Sequence, residues 1–184
     1  VAVVVGTRFL APALSWGRAG EVKIIRIDID PVQAALPTPA DVTMICHAEL
    51  GLAALEAGIA QRPSAAGWVA SVRDDVDGKL QTLAQQYQLA RVVREELPDD
   101  GIVVTDVTQL ATFVQYGMPF YRPRTLITPG FQGTLGYAYP TALGAKVAYP
   151  DRKVLAICGD GGFMFNVQEL STAVAHGLDV VVMV

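Results

Sequence analysis

Near the C-terminal end, the apolar run Val154-Leu155-Ala156-Ile157-Cys158 leads straight into Gly159-Asp160-Gly161-Gly162. A carboxylate at the tip of a buried strand is a hard oxygen ligand, of the kind Mg²⁺ takes together with phosphate oxygens. The flanking glycines let backbone N–H groups reach an anion with no Cβ in the way, and a following helix start adds positive potential. These residue types at this spacing suit a corner where a metal ion and a phosphate meet. A second glycine-rich turn, Pro129-Gly130-Phe131-Gln132-Gly133-Thr134-Leu135-Gly136, precedes a stretch with helical periodicity. Asp106 ends a third apolar run and is followed by Val107-Thr108-Gln109.

The elements that must position these loops alternate. From Lys79 onward the periodicity predicts helix Lys79–Leu97, strand Ile102–Asp106, helix Thr108–Tyr116, strand Thr125–Thr128, helix Tyr137–Ala148 and strand Lys153–Cys158. Helix Val167–His176 and strand Asp179–Val184 complete the series. Asn166-Val167-Gln168-Glu169 reads as a capping box for that last helix, with Gly177 suited to its C′ position and His176 to its dipole. Such an order predicts an α/β fold, a doubly wound parallel sheet in three α/β/α layers. Ligands of such sheets gather at the carboxyl ends of the strands, so Asp106, the Gly130–Gly136 turn and Asp160 are expected on one rim. Earlier in the chain, strands Val1–Val5, Val22–Ile29 and Val42–Cys46 and helix His47–Ala60 suggest part of a second parallel α/β sheet. Residues 1–60 are therefore expected to be the end of one domain and 79–184 most of another. Residues 61–78 read as the linker, where Pro63, Ser64 and Gly67 break the periodicity and Trp68–Asp77 has helical character.

Composition narrows the function classes. The 184 residues are 52% hydrophobic and only 17% charged, with a mean hydropathy of +0.36, which argues for sheets buried on both faces and against disorder. A net charge of −4 with no Lys/Arg cluster gives no support for nucleic-acid binding. Cys46 and Cys158 lie in apolar runs far apart and read as small buried residues, not as a disulfide. No signal peptide is visible, and no apolar run approaches the roughly 20 residues of a membrane span, so a cytoplasmic enzyme or subunit is expected. Val1 and Val184 both fall inside strand patterns, and a piece of a longer protein is expected. No Gly-x-Gly-x-x-Gly follows the early strands and no Gly-Lys-Ser/Thr occurs anywhere, which weighs against dinucleotide and NTP binding.

Three motifs in order carry a resemblance. Gly159-Asp160-Gly161-Gly162, with Phe163-Met164-Phe165-Asn166-Val167-Gln168-Glu169-Leu170 after it, resembles the start of the cofactor signature of thiamine-diphosphate-dependent enzymes, acetolactate synthase-like branch. Gly133-Thr134-Leu135-Gly136-Tyr137-Ala138-Tyr139-Pro140-Thr141-Ala142-Leu143-Gly144 resembles that branch's glycine-rich stretch, and Arg26-Ile27-Asp28-Ile29-Asp30-Pro31 the strand end of its central domain. The chain stops where the Asn-Asn pair closing the signature would fall.

The resemblance implies thiamine diphosphate and Mg²⁺ as cofactors. Asp160 would be a Mg²⁺ ligand, and Gly159, Gly161 and Gly162 would bring backbone groups to the diphosphate. Leu135 would wedge beneath the cofactor and hold it bent, Gly133 and the Leu135 amide would meet the pyrimidine edge with Thr134 between them, and Gln109 would line the diphosphate. Leu110 stands where acetolactate synthases often carry His. No catalytic residue is expected within these 184 residues, since the glutamate that activates the pyrimidine belongs to an N-terminal domain and comes from a neighbouring subunit. The implied substrate is a 2-keto acid, decarboxylated or ligated, in a homodimer or homotetramer, with no nucleic-acid or membrane partner. FAD is the less favoured second cofactor, because the residues after Arg8 lack the acidic groups expected there. The alternative is a non-catalytic subunit or degenerate regulatory relative of the same fold; a weaker third is a Rossmann-type nucleotide binder. Asn166 reads as a helix cap, not a metal ligand, His47 and His176 as structural, and Asp106 equally as ligand contact or loop support.

Overall fold

A computed structural model describes residues 1–9, 21–37 and 39–184. Two compact units divide the chain, Val1–Ser64 and Ala65–Val184. In the first, strands β1 (Ala2–Val5), β2 (Ile24–Asp28) and β3 (Val42–Ile45) form a parallel sheet in the order β1-β2-β3. Short helix α1 (Pro31–Ala34) and helix α2 (Ala48–Gly58) belong to the same unit. Asp30 caps α1 by accepting from the amide of Val32 at 2.8 Å, and Pro31 sits in its first turn, where the missing N–H costs no intrahelical bond. Asp28 accepts from the amide of Asp30 at 3.0 Å, so both carboxylates of this strand end serve the turn. Of the residues after Arg8 that bear on FAD, Leu10 lies outside the described residues.

The second unit opens with helices α3 (Ala66–Gln81) and α4 (Ala84–Glu96). One continuous helix was expected over Lys79–Leu97; the chain breaks it at Thr82-Leu83. There Thr82 gives both its amide and its hydroxyl to the Lys79 carbonyl, and Leu83 donates to Leu80, tightening the last turn of α3 until it stops. Strand β4 (Ile102–Thr105), helix α5 (Gln109–Gly117), strand β5 (Leu126–Ile127), helix α6 (Ala138–Ala148) and strand β6 (Val154–Ile157) follow. Helices α7 (Asp160–Phe165) and α8 (Glu169–His176) and strand β7 (Val181–Met183) complete the unit. Gly177 ends α8 with φ +60°, as its C′ position requires.

The four strands are parallel in the order β5-β4-β6-β7. Because side chains alternate across a strand, Ile102, Val104, Val154 and Ala156 face α6, while Val103, Leu155 and Ile157 face α4 and α5. β4 and β6 are buried at every position, which explains why they read as unbroken apolar runs. From β4 the chain goes to one side of the sheet through β5, then crosses back to β6 on the other. The carboxyl ends of β4 and β6 flank this reversal, where open α/β sheets form their crevice.

Candidate cofactor site at the rim of the second sheet

Strand register brings the expected loops together. Thr105 pairs with Ile157, and the amide of Asp106 donates to the Ile157 carbonyl at 2.8 Å, so Asp106 and Gly159-Asp160 leave adjacent strand tips. Asp106 is 1% exposed and its carboxylate turns toward the glycine-rich turn, accepting from the amides of Gly136 at 3.1 Å and Tyr137 at 3.2 Å. Asp106 thus supports the loop, one of the two roles the sequence left even. A buried carboxylate is tolerable only when hydrogen-bonded, and one of its two donors is the N–H of Tyr137, the N-cap of α6, which the helix itself leaves unpaired.

The carbonyl of Gly136, in the same peptide as the Tyr137 N–H, is also held. Asn166 donates from Nδ2 to the Gly136 carbonyl at 2.7 Å. The side chain expected to cap the last helix thus works elsewhere, and Gln168 occupies the N-cap position of α8. Asn166 instead ends the short helix α7; its backbone carbonyl accepts from the Glu169 amide at 3.0 Å and its Oδ1 from Gln168 Nε2 at 3.5 Å. Gly136 itself has φ +79°, and a Cβ there would lie 2.8 Å from Asn166 Nδ2 and 2.9 Å from Phe165 Cβ. A Cβ on Gly162 would lie 2.5 Å from Asp106 Oδ2, so the Gly159–Gly162 loop lies directly against that carboxylate.

Each expected ligand-contacting residue of the rim can now be placed. Asp160 is exposed in the first turn of α7 and accepts from the Gly161 amide at 2.7 Å. Gly159 is the N-cap of α7, and space around Gly161 is open. Thr134 is exposed and Leu135 is 52% exposed between Gly133, which has φ +58°, and Gly136. Gln109 is exposed as the first residue of α5, a helix capped by Thr108, whose Oγ1 accepts from the Ala111 amide at 3.0 Å. All eight expected residues, from Gln109 to Gly162, lie in the second unit, on the loops or first helical turns that follow its strands.

Among the described residues no three His, Cys, Asp or Glu side chains gather to hold a metal. A cation at Asp160 would need most of its oxygens from elsewhere. That fits Mg²⁺, which keeps one or two carboxylates and takes the rest from phosphates and water. Glycine amides without side chains around the carboxylate fit a diphosphate in the same place.

Cys158 stands just before this loop, packed between sheet and α6, and burial pushes its thiol up from 9.0 to about 11, with the nearby Asp106 charge adding to the effect. Cys46 is half-buried in the first unit, and both cysteines are free. Thiolate is the reactive species, so iodoacetamide at pH 8 is expected to label Cys46 well before Cys158, which reacts only on unfolding. Peptide mass spectrometry checks this; equal labelling of both in the native protein would contradict the packing around Cys158.

Tyr139 and Phe163 make an edge-to-face ring pair at 5.5 Å that seats α7 on α6. Among the described residues, no helix is long and apolar enough to cross a membrane.

A parallel α/β unit with two glycine loops and one exposed carboxylate at its switch point is the layout of a cofactor-binding domain. Residues 106–184 match the family described as thiamine pyrophosphate enzyme, C-terminal TPP binding domain. The chain is 30% identical over 187 residues to a probable acetolactate synthase large subunit of Methanococcus aeolicus, covering 89% of this chain and 31% of that protein. It is 36% identical over 156 residues to a probable 2-ketoarginine decarboxylase of Pseudomonas aeruginosa, covering 82% and 28%. Its fold matches a thiamine diphosphate-dependent 4-hydroxybenzoylformate decarboxylase of Rhodococcus jostii with a TM-score of 0.63 at 22% identity, covering 89% of this chain and 30% of that one. Residues 106–184 thus carry the C-terminal cofactor-binding domain of thiamine pyrophosphate enzymes, and most of the chain is similar to acetolactate synthase large subunits. It spans about 30% of the length of the relatives it matches.

Proposed function

We propose that this chain is the diphosphate-side cofactor domain, with the end of a central domain before it, of a thiamine diphosphate- and Mg²⁺-dependent enzyme. The reaction is decarboxylation or carboligation of a 2-keto acid. The observation that carries the reading is the convergence of the Gly133–Gly136 turn and the Gly159–Gly162 loop on the tips of β4 and β6. Asp160 would hold Mg²⁺ against the diphosphate, with the amides of Gly161 and Gly162 turned to the same oxygens and Gln109 and Gly159 lining them. Leu135 offers an apolar surface for the bend of the cofactor, and the Gly133 carbonyl, Thr134 and the Leu135 amide form the edge that meets the pyrimidine.

When bound, thiamine diphosphate supplies a nucleophilic thiazolium carbon and an electron sink for a 2-keto acid. The residues of this chain would orient it, with Asp160 holding the Mg²⁺ that offsets its charge; the group that activates it is proposed to come from another domain. Alone, these 184 residues therefore bind cofactor weakly and turn over no substrate. The protein is proposed to work in the cytoplasm as a homodimer or homotetramer. Half-exposed Leu135 and the exposed Met164 and Phe165 near the rim support a site completed by another subunit.

The test is release of carbon dioxide from pyruvate with added thiamine diphosphate and Mg²⁺. Turnover is expected from the protein extended to the length of its relatives and not from this chain alone. Activity of the chain alone would place the activating group inside it, contrary to the reading. An extended protein that binds cofactor yet turns over no 2-keto acid would favour the non-catalytic relative.

A further inference from the structure

The two glycine loops of the rim are separated by helix α6 and strand β6 in sequence, yet a single residue, Gly136, joins them in space. Gly136 is held by its N–H from Asp106, at the tip of β4, and by its carbonyl from Asn166, at the end of α7. Asp106 is the one buried carboxylate among the described residues, and no ion pair there involves it. Its charge is carried by two amide donors at consecutive positions, Gly136 and Tyr137. Hydrogen bonds to an ionised acceptor are roughly twice as strong as neutral ones, so this attachment is firm. The opposite loop presses on the same group, since Gly162 approaches Asp106 Oδ2 too closely to admit a Cβ.

We infer that Asp106 and Asn166 are positioning residues that fix the distance between the Leu135 turn and the Gly159–Gly162 loop, so that a ligand spanning both meets a preformed site. This rests on the thiamine diphosphate reading, in which the pyrimidine end meets one loop and the diphosphate end the other. Neither side chain need touch the cofactor. Their effect is on the relative placement of two half-sites. A ligand that bridges two half-sites gains only when their spacing already matches its own length.

That gives a readout a merely structural residue would not move. Inorganic diphosphate with Mg²⁺ occupies one loop, whereas thiamine diphosphate with Mg²⁺ occupies both. In the intact protein that carries this chain, Asp106→Asn and, separately, Asn166→Ala are titrated with each probe by calorimetry, with thermal unfolding followed alongside. The carboxamide of Asp106→Asn keeps the shape but offers one acceptor and one donor where two amides must be satisfied. Asn166→Ala removes the donor to Gly136 from a half-buried site, and serves if the first variant does not fold. Both are expected to weaken thiamine diphosphate about tenfold or more while leaving inorganic diphosphate within about twofold. Equal weakening of both probes, or no weakening of either, would overturn the positioning role. If the unaltered protein takes up neither probe, the cofactor reading itself fails, and this inference with it.

Discussion

Gly136→Ala is expected to destabilise the second unit by about 3 kcal/mol, the sum of a backbone and a packing cost. The backbone contribution comes from φ +79°, which an L-residue with a Cβ adopts at about 1–2 kcal/mol. The packing contribution comes from the new Cβ, which would lie 2.8 Å from Asn166 Nδ2 and 2.9 Å from Phe165 Cβ. Neither neighbour can give way freely: Asn166 is tied to the Gly136 carbonyl, and Phe165 Cβ is the fixed root of its side chain. Gly133→Ala supplies the control. Its φ of +58° exacts a similar backbone cost, but its Cβ would make only an ordinary contact, 3.5 Å from Val107 Cγ2. Urea unfolding should rank Gly136→Ala clearly below Gly133→Ala, which loses about 1 kcal/mol. Equal midpoints for the two variants would mean that the turn does not press on Asn166 and Phe165 as described.

Asp160→Ala is expected to behave in the opposite way, leaving the fold intact and removing the cofactor. Its side chain is exposed and makes one local bond to the Gly161 amide, so unfolding stability should change by no more than about 0.5 kcal/mol. Binding depends on it far more. Among the described residues no three acidic, histidine or cysteine side chains gather to hold a metal, and the rim's other carboxylate, Asp106, is buried and engaged by the Gly136 and Tyr137 amides. Loss of a residue that only supports a metal ligand weakens metal binding by about 10–100-fold, and loss of a direct ligand should reach at least the upper figure. Mg²⁺-dependent affinity for thiamine diphosphate should therefore fall by about 100-fold or more, with Mg²⁺-independent affinity little changed. Retention of full affinity would move the metal away from Asp160.

The contrast between these two positions shows what could be read from residues alone. Strands β4 and β6 are buried on both faces, so their apolar runs announce them, and glycine clusters at their tips announce the loops. Asp160 and Leu135 stand out for the same local reason: each sits in a run of residues unusual for any other purpose. Asp106 and Asn166 do not. Whether Asp106 serves a ligand or a loop depends on β4 lying beside β6 and on the turn folding back over it, a pairing about 30 residues distant in sequence. Asn166 carries a capping signature that is locally correct, yet the Gly136 carbonyl, reached only after the sheet forms, takes its amide. The break between α3 and α4 carries no Gly or Pro to mark it; Thr82 ends the helix by bonding back to Lys79. Local chemistry was legible, and long-range polar contacts were not.

The central claim is that the rim of the β5-β4-β6-β7 sheet binds thiamine diphosphate through Mg²⁺. Calorimetric titration of the protein that carries this chain tests it most directly, with thiamine diphosphate in Mg²⁺, thiamine diphosphate in EDTA, and NAD in Mg²⁺ as three parallel runs. Saturable binding of thiamine diphosphate in Mg²⁺, strongly weakened by EDTA and absent for NAD, is the predicted result. Binding of NAD in preference to thiamine diphosphate, or thiamine diphosphate binding indifferent to EDTA, would contradict it.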